Sequence, residues 1–108
     1  MKKKVVLDKR AEKELKKLTS DVKAKFIAYF DILARDGRLA EPYGKRLNKD
    51  LFEVRVKYKG QYRAFYAYIQ EDNILILVVF QKKSQKTPLK KIKTAYYRLG
   101  IYTERSKR

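Results

Sequence analysis

The stretch LFEVRVKYKGQYRAFYAYI, residues 51–69, decides the fold, because the spacing of apolar residues along the chain changes there. In its first half, apolar side chains occupy every second position, namely Phe52, Val54, Val56 and Tyr58. Charged residues fill the positions between them, which is typical of a strand with one buried face and one basic face. Gly60 predicts a hairpin turn, and residues 61–69 predict the partner strand.

The segment after this hairpin predicts a third strand at residues 73–81, followed by a helix. Residues 74–80 are unbroken apolar sequence, and the polar sequence QKKSQK follows them directly. Thr87 and Pro88 suit the N-cap and the first position of a helix, and Gly100 suits its end. The apolar stripe of this helix is predicted to contain Leu89, Ile92, Tyr96 and Leu99.

The residues before the hairpin predict one strand and two helices. Residues 3–7 can form a short strand, and Ala11, Leu15 and Leu18 then recur at helical spacing. The sequence TSD at 19–21 supplies a break and an N-cap for a second helix, which Gly37 terminates. The second helix is apolar at Val22, Phe26, Tyr29, Phe30 and Leu33.

Together these elements predict a single α+β domain of order βααβββα. Its antiparallel sheet is expected to pack against an N-terminal helical hairpin and a C-terminal helix. The domain is expected to span residues 1–102, with residues 103–108 as a loose basic tail. A chain of 108 residues suits one modest core, and no internal repeat or Gly/Ser/Pro-rich linker divides it.

The composition excludes several classes of site. The chain has no cysteine and no histidine, so disulfides, thiolate nucleophiles and the commonest general base and metal ligand are absent. No carboxylate cluster has the spacing of a magnesium nuclease site, and no Gly-rich phosphate loop is present. We therefore expect no metal and no cofactor. No apolar run approaches the roughly 20 residues of a membrane span, so we expect a soluble, cytoplasmic protein.

The charge distribution predicts a polyanionic partner. The net charge is +17, from 29 basic and 12 acidic residues. Residues 55–98 contain many lysines and arginines, whereas their only acids are Glu71 and Asp72. Such a field favours nucleic acid or the ribosome, since neutralised phosphates release counterions. An acidic protein, an anionic membrane surface and simple solubility are the alternatives.

The hairpin is predicted to gather cations on one face of the sheet. A loop centred on residues 59–61 pairs Lys57 with Arg63 and puts Arg55 opposite Phe65, with all three cations on the same face. Lys82 and Lys83 emerge beside them, at the end of the third strand. Arginine suits bidentate phosphate binding, whereas lysine is a compact point charge. The plainer explanation is that strand residues facing water are often basic.

Glu53 and the tyrosines are open to two interpretations. Glu53, alone in the basic row, is either a general base or the ion-pair partner of the cations. Tyr29, Tyr66 and Tyr96 lie on predicted apolar faces and are expected in the core. The remaining candidates for base stacking or proton transfer are Tyr58, Tyr62, Tyr97 and Tyr102.

Four motifs resemble the RelE/ParE toxin superfamily, most closely its HigB-like, phage Gp49-like branch. They are Leu51-Phe52-Glu53-Val54-Arg55, Tyr62-Arg63, Phe80-Gln81-Lys82-Lys83 and Gln85-Lys86-Thr87-Pro88. The resemblance covers essentially the whole domain. It implies the toxin of a type II toxin–antitoxin pair, with a cognate antitoxin that is usually a helix-turn-helix protein.

The resemblance also implies an activity and a set of site residues. RelE and HigB toxins enter the ribosomal A site and cut mRNA by attack of the ribose 2′-OH on the adjacent phosphate, without a metal. By this resemblance Arg63, Lys83, Lys82, Arg55 and Lys57 match the basic site residues of the family, and together with Glu53 they are the predicted catalytic residues. We expect RNA contacts from Lys59, Tyr62, Gln85, Lys86 and Lys90. The C-terminal tyrosine or histidine that some relatives use for proton transfer has no counterpart here, so the acid and base stay unassigned.

Two other functions remain compatible with the sequence. ParE-like members of the superfamily inhibit a topoisomerase by binding it, without catalysis. A basic module that binds RNA or the ribosome is the second alternative. The convergence of Arg55, Arg63 and Lys83 favours the endoribonuclease, because a protein that only binds has no need to focus cations at one point.

Overall fold

The computed structural model describes residues 2–70 and 72–106, which form one mixed sheet and three helices. The elements are β1 (Lys4–Leu7), α1 (Lys9–Lys16), α2 (Ser20–Asp36), β2 (Gly44–Arg46), β3 (Phe52–Lys57), β4 (Gln61–Ile69), β5 (Asn73–Lys82) and α3 (Leu89–Ser106). The strand order is β1-β5-β4-β3-β2. The α+β class and the predicted succession of elements are confirmed, with two corrections.

Both corrections concern the edges of the sheet. The short strand β2 was not predicted, and it pairs antiparallel with β3 at one edge. At the other edge β1 runs parallel to β5, whereas the remaining pairs are antiparallel. The sheet is therefore mixed rather than antiparallel. The long α1–α2 segment between β1 and the rest of the sheet is what allows a parallel pairing.

Caps explain where the first two helices begin and end. The carboxylate of Asp8 accepts a hydrogen bond from the backbone N–H of Arg10 at 2.9 Å, which caps α1. Thr19 has extended backbone angles before α2, as its position in the TSD sequence predicts, although its side chain makes no capping bond. Gly37 adopts a left-handed conformation with φ of 78° and ends α2.

The two faces of the sheet carry separate apolar cores. Helices α1 and α2 cover one face, where Phe26, Leu33 and Tyr66 are buried. Helix α3 covers part of the other face, where Ala95 packs among Phe65, Leu75, Leu77 and Phe80. Since side chains alternate along a strand, Arg63 lies on the α3 face with Phe65, but nearer the β3–β4 turn.

The register of the β3–β4 hairpin differs from the prediction by two residues. Arg55 pairs with Arg63, and Lys57 pairs with Gln61, around a loop at residues 58–60. Lys59 takes a left-handed φ of 52° and Gly60 a φ of 146° in this loop. A shift of two residues keeps every side chain on its predicted face, so Arg55, Lys57 and Arg63 still share one face.

The last helix differs from its prediction in phase and in length. Leu89 and Tyr96 are exposed, at 66% and 39%, and Ala95 takes the central buried position instead. The small Ala95 side chain suits the close approach of α3 to the sheet. Tyr96 is therefore not a core residue, and its hydroxyl group hydrogen bonds to Asn48 and Asp50.

Gly100 does not end α3, which continues to Ser106. Tyr102 packs against the core on the α3 face and anchors the extra turn. Residues 103–106 are thus helical rather than part of a loose tail, while the rest of the predicted tail, 107–108, lies outside the described residues. Within the described ranges, no helix has the length and apolar character needed to cross a bilayer.

Candidate functional site

Three charged residues form an ion-paired cluster on the α3 face of the sheet. Arg55 and Arg63 lie opposite each other on β3 and β4. The Glu53 carboxylate joins them, with one oxygen 2.7 Å from Arg55 Nε and the other 3.7 Å from Arg63 Nε. Glu53 is only 5% exposed. Of its two predicted roles, this geometry fits the ion-pair partner of the cations.

Arg63 is the buried centre of this cluster, with 8% of its surface exposed. Its Nη1 donates hydrogen bonds to Gln61 Oε1 at 3.2 Å and to the Tyr62 carbonyl oxygen at 3.0 Å. Its Nε is buried and has no hydrogen-bond partner, and Nη2 makes no hydrogen bond to the described residues. Burial, and to a lesser degree the charge of Arg55, lowers the pKa of Arg63, although Glu53 opposes this effect.

Arg63 lines a pocket at the start of β4 and the end of β5, with a volume of about 520 Å³. Its other lining residues come from the β3–β4 turn and from the end of β5 with the loop that follows: Gly60, Gln61, Gln81, Lys82, Lys83, Ser84 and Gln85. Neither Lys82 nor Lys83 forms an ion pair with a carboxylate of the described residues. The pocket wall therefore carries three cations and the neutral amide side chains of Gln61, Gln81 and Gln85.

The structure places three of the six predicted catalytic residues on the pocket wall and connects two more to Arg63 by side-chain contacts or strand pairing. Arg63, Lys82 and Lys83 line the pocket, and Gln85 from the predicted RNA contacts lines it with them. On the neighbouring strand β3, Glu53 forms ion pairs with both Arg63 and Arg55. Arg55 is the cross-strand partner of Arg63. Lys57 is exposed on the same face, opposite Gln61, so it lies beside the pocket.

The other predicted RNA contacts are more scattered. Lys59 lies in the hairpin loop, with Nζ 5.6 Å from the Tyr58 ring centre. Tyr62 points to the opposite face of the sheet and packs against the core beneath α1 and α2. Lys86 and Lys90 are exposed at the loop before α3 and at its first turn, and neither lines the pocket.

The other tyrosine candidates lie outside this pocket. The Tyr58 hydroxyl group donates a hydrogen bond to Asp21 at 2.9 Å, and this bond raises the pKa of Tyr58. Tyr97 is 67% exposed on α3. Tyr102 packs beside the core near the other end of the sheet. None of the three lines the pocket at Arg63, so the structure gives no tyrosine a place among the clustered cations.

Two features of the site were missed at the level of sequence. Gln61 and Gln81 line the pocket, and Gln61 orients Arg63. Lys91 on α3 lies with Nζ 5.5 Å from the centre of the Phe80 ring, and Phe80 pairs with Arg63 across the strands. The helical phase of Lys91, four residues before the buried Ala95, is the signal that points to it.

A larger hollow lies at the opposite end of the sheet. It has a volume of about 650 Å³, and its walls include Phe52, Ile69, Leu99 and Tyr102. Lys49 and Asp50 also line it, and Tyr102 is the predicted candidate residue that it contains. The predicted catalytic cations Arg63, Lys82 and Lys83 line the smaller pocket instead.

The arrangement around Arg63 suits an anionic ligand. Arg63 presents a guanidinium group whose position is fixed by Glu53, Gln61 and a backbone carbonyl group. Preorganised donors in a partly dry site stabilise negative charge better than mobile donors in water. The absence of a carboxylate on the pocket wall, among the residues described, leaves the field there positive. A phosphodiester group fits both the charge and the geometry.

Comparison with known proteins gives a family and a fold. The sequence model of the family described as "Phage derived protein Gp49-like" matches residues 13–100. No curated protein sequence matches the chain. A free-state double mutant of the Escherichia coli toxin RelE matches with a TM-score of 0.63 and 23% identity, over 79% of this chain and 88% of that one.

Two toxin–antitoxin complexes contain chains of the same fold. One is RelBE2 from Mycobacterium tuberculosis, with a TM-score of 0.59 and 25% identity, over 76% of this chain and 100% of that one. The other is the archaeal RelE–RelB complex from Pyrococcus horikoshii, with a TM-score of 0.60 and 23% identity, over 80% and 100%. The fold of this chain is that of the RelE toxins.

Proposed function

Because this chain belongs to the phage-derived Gp49-like family and has the RelE toxin fold, we propose that it is the toxin of a type II toxin–antitoxin pair and cuts mRNA on the ribosome. The observation that carries the proposal is the buried Arg63, held by Glu53 and Gln61 at a pocket that also presents Lys82 and Lys83. A reaction that develops negative charge on phosphate needs such a fixed group of cations.

The proposed reaction is attack of a ribose 2′-oxygen on the adjacent phosphorus atom. The new bond closes a 2′,3′-cyclic phosphate, and the bond from phosphorus to the 5′-oxygen of the next nucleotide breaks. The 2′-hydroxyl group loses a proton and the leaving 5′-oxygen gains one, so neither water nor a redox partner is consumed. Charge accumulates on the phosphorane oxygens in between.

Arg63 is the group assigned to those oxygens. Its Nη1 is held by Gln61 and by the Tyr62 carbonyl group, so the guanidinium plane is set before RNA arrives. Its Nη2 has no partner among the described residues and is left for phosphate. Preorganisation of this kind avoids the cost of reorienting a mobile arginine during the reaction.

Lys82 and Lys83 are assigned to charge neutralisation, and Glu53 to the position of Arg63. The two lysines lie on the pocket wall without a carboxylate partner in the described part of the chain. The Glu53 carboxylate is buried and engaged by Arg55 at 2.7 Å, which suits a positioning residue better than a proton acceptor. Arg55 and Lys57 extend the positive field toward the RNA backbone.

An antitoxin partner is part of the proposal. Two of the structures with this fold are toxin–antitoxin complexes, and the chain carries a net charge of +17. A partner with acidic and apolar segments would neutralise that field. We propose that such a protein, a helix-turn-helix antitoxin in the predicted branch, is encoded with this chain.

The test compares wild type with Arg63→Ala in cells and with purified ribosomes. Expression is induced, the 5′ ends of transcripts are mapped, and the in vitro reaction is run with and without ribosomes. We expect ribosome-dependent cuts with wild type and a loss of roughly 10²- to 10³-fold in cutting rate with Arg63→Ala. Lys13→Ala, which removes an exposed cation on α1, is the matched control and should cut like wild type.

Two outcomes would contradict the nuclease proposal. Growth arrest without new 5′ ends would favour the topoisomerase-inhibiting alternative. Binding to ribosomes without cuts or arrest would leave a basic binding module. A thermal melt of each variant separates a loss of activity from a loss of folding.

A further inference from the structure

Lys91 lies beside the candidate site but is not among the residues that the family motifs indicate. It is in the first turns of α3 and half-buried, and its Nζ lies 5.5 Å from the centre of the Phe80 ring. Phe80 is itself only 7% exposed and is in edge contact with Phe65, with ring centres 5.1 Å apart. The Phe80 ring is therefore held in place by packing, and Lys91 makes a cation–π contact with it.

The position of the Phe80 ring links Lys91 to Arg63. Phe80 is the direct cross-strand partner of Arg63 in the β4–β5 ladder. Directly paired residues on one face have Cβ atoms about 4.5–5.5 Å apart, so the Arg63 side chain and the Phe80 ring are neighbours. Lys91 and Arg63 are therefore both neighbours of Phe80, Lys91 from α3 and Arg63 from β4.

The charge of Lys91 has no carboxylate to balance it among the described residues. The acid of this part of the sheet, Glu53, is engaged by Arg55 and Arg63. A half-buried ammonium group loses hydration, and a cation–π contact restores only part of that loss. By contrast Lys93, two residues further along the same helix, is exposed to solvent. Lys91 therefore adds a charge without a carboxylate partner beside a cluster in which one carboxylate serves two guanidinium groups, and this points to an anionic ligand.

We infer that Lys91 binds the RNA phosphate next to the one that Arg63 binds, on the side of α3. This inference rests on the proposed function, because it assigns the neighbouring phosphate of the same RNA. The RNA would then run from the pocket at Lys82 and Lys83, past Arg63, to the first turns of α3. Phe80 sets the position of Lys91 and, through the β4–β5 pairing, lies beside Arg63.

The test measures binding and cleavage with one set of variants. Lys91→Met removes the charge and keeps a long side chain on Phe80, Lys91→Arg keeps both, and Lys93→Met removes a charge from the exposed side of α3. Binding is measured by anisotropy as a function of salt, with a short single-stranded RNA whose riboses are 2′-O-methylated and cannot react. Cleavage of ribosome-bound mRNA is measured with the same proteins.

We expect Lys91→Met to bind the methylated RNA roughly tenfold more weakly, the loss of one charge-assisted contact. The slope of log affinity against log salt should fall in magnitude by about 0.7, the value for one phosphate contact on a single strand. Lys91→Arg should retain the wild-type affinity and slope. Lys93→Met should change the affinity and the salt slope less than Lys91→Met does.

The outcomes separate this inference from the proposed function. If wild type cuts ribosome-bound mRNA and Lys91→Met behaves like Lys93→Met in both assays, the inference is wrong and the function stands. If binding depends on Lys91 but wild type makes no cuts, the phosphate contact stands and the nuclease function falls. If wild type does not bind the methylated RNA, the inference is overturned.

Discussion

Arg55 and Arg63 are directly opposite each other on the adjacent strands β3 and β4, and the buried carboxylate of Glu53 contacts both guanidinium groups. Like charges in directly opposed positions destabilise a sheet. One carboxylate that contacts both guanidinium groups offsets this repulsion. The cluster still carries one excess positive charge, and that charge lies at the wall of a pocket suited to phosphate.

The first prediction concerns Glu53→Gln. The substitution leaves a buried guanidinium group without its counter-charge, and breaking one partner of a buried pair costs about 3 kcal/mol. We expect the free energy of unfolding, measured by urea denaturation, to fall by about that amount, with a lower urea midpoint. Because Arg63 also loses its orientation, the rate of RNA cleavage should fall more than the affinity for RNA.

A double variant is the control for this prediction. Replacing Arg63 with methionine in the Glu53→Gln background removes the more buried of the two guanidinium groups that lost their counter-charge. The double variant should therefore be more stable than the sum of the two single losses predicts. Strictly additive losses of stability would show that the two side chains are not coupled.

The second prediction concerns the lysines on the pocket wall. Lys82→Ala with Lys83→Ala should lower the single-turnover cleavage rate by about 10²-fold, because two cations that neutralise developing charge are removed. Stability should change by less than about 0.5 kcal/mol, since Lys83 is exposed and the side chain of Lys82, although half-buried, forms no hydrogen bond or ion pair with the described residues. A double variant of two exposed lysines with no described contacts, Lys13→Ala with Lys93→Ala, removes the same charge. Equal losses in the two double variants would mean that only net charge matters.

The third prediction concerns an ion pair that seals the free edge of β5. Glu14 on α1 accepts hydrogen bonds from Arg98 at 2.9 and 3.0 Å and from the Val79 N–H at 3.1 Å. Arg98 in turn donates to the Leu77 carbonyl group at 2.9 Å. The pairing of β1 with β5 ends at Ile76. Beyond that point the side chains of Glu14 and Arg98, rather than a strand, satisfy the Val79 N–H and the Leu77 carbonyl group.

Arg98→Met should therefore destabilise the protein by about 3 kcal/mol, because the partly buried Glu14 carboxylate loses its ion-pair partner and the Leu77 carbonyl group loses the donor from Arg98. Hydrogen exchange at the Val79 amide, followed by NMR, should accelerate. Replacing Glu14 and Arg98 together with apolar residues of similar volume should cost less than either single change. A Val79 amide that exchanges at the wild-type rate in Arg98→Met would show that the contact does not seal the edge.

The fourth prediction concerns the pH dependence of stability and the cap of α1. Burial acts to raise the pKa of Asp8, but hydrogen bonds and charge from Arg10 outweigh it, so the pKa lies below the usual 3.8. A carboxyl group with a lowered pKa in the folded state stabilises the protein above its usual pKa. That contribution is lost as the pH falls through the lowered pKa.

Asp8→Asn keeps an acceptor for the Arg10 N–H but removes the charge, so we expect up to about 1 kcal/mol of lost stability at neutral pH. The difference from wild type should disappear in strongly acid solution, where Asp8 is protonated in both states. Urea unfolding at the two pH values measures this. A difference that is the same at both pH values would show that the effect does not come from the charge of Asp8.

Alternation predicted the faces of the sheet well, for a physical reason. A register error of two residues preserves the face of every side chain, so Arg55, Lys57 and Arg63 were correctly grouped although their partners were wrong. The motifs of residues 51–88 also led to the correct family. The register itself depends on the left-handed conformation of Lys59, for which the residue type carries little signal.

Other features depend on tertiary contacts that a local pattern does not contain. Strand β2 has three residues, too few for alternation to be visible, and it forms because β3 offers it a partner. Tyr96 has the spacing of a core residue, but Ala95 is the residue whose size allows α3 to approach the sheet. The place of Lys91 on Phe80 follows from that shifted helical phase.

The parallel pairing of β1 with β5 has a consequence for biosynthesis. The first of the five strands along the described chain pairs with the fifth, from Lys4 with Asn73 to Leu7 with Ile76. During translation β1 must wait, unpaired, until most of the chain has been made. Non-local closure of this kind is slow to form. The sheet is therefore completed only after β5 has been made.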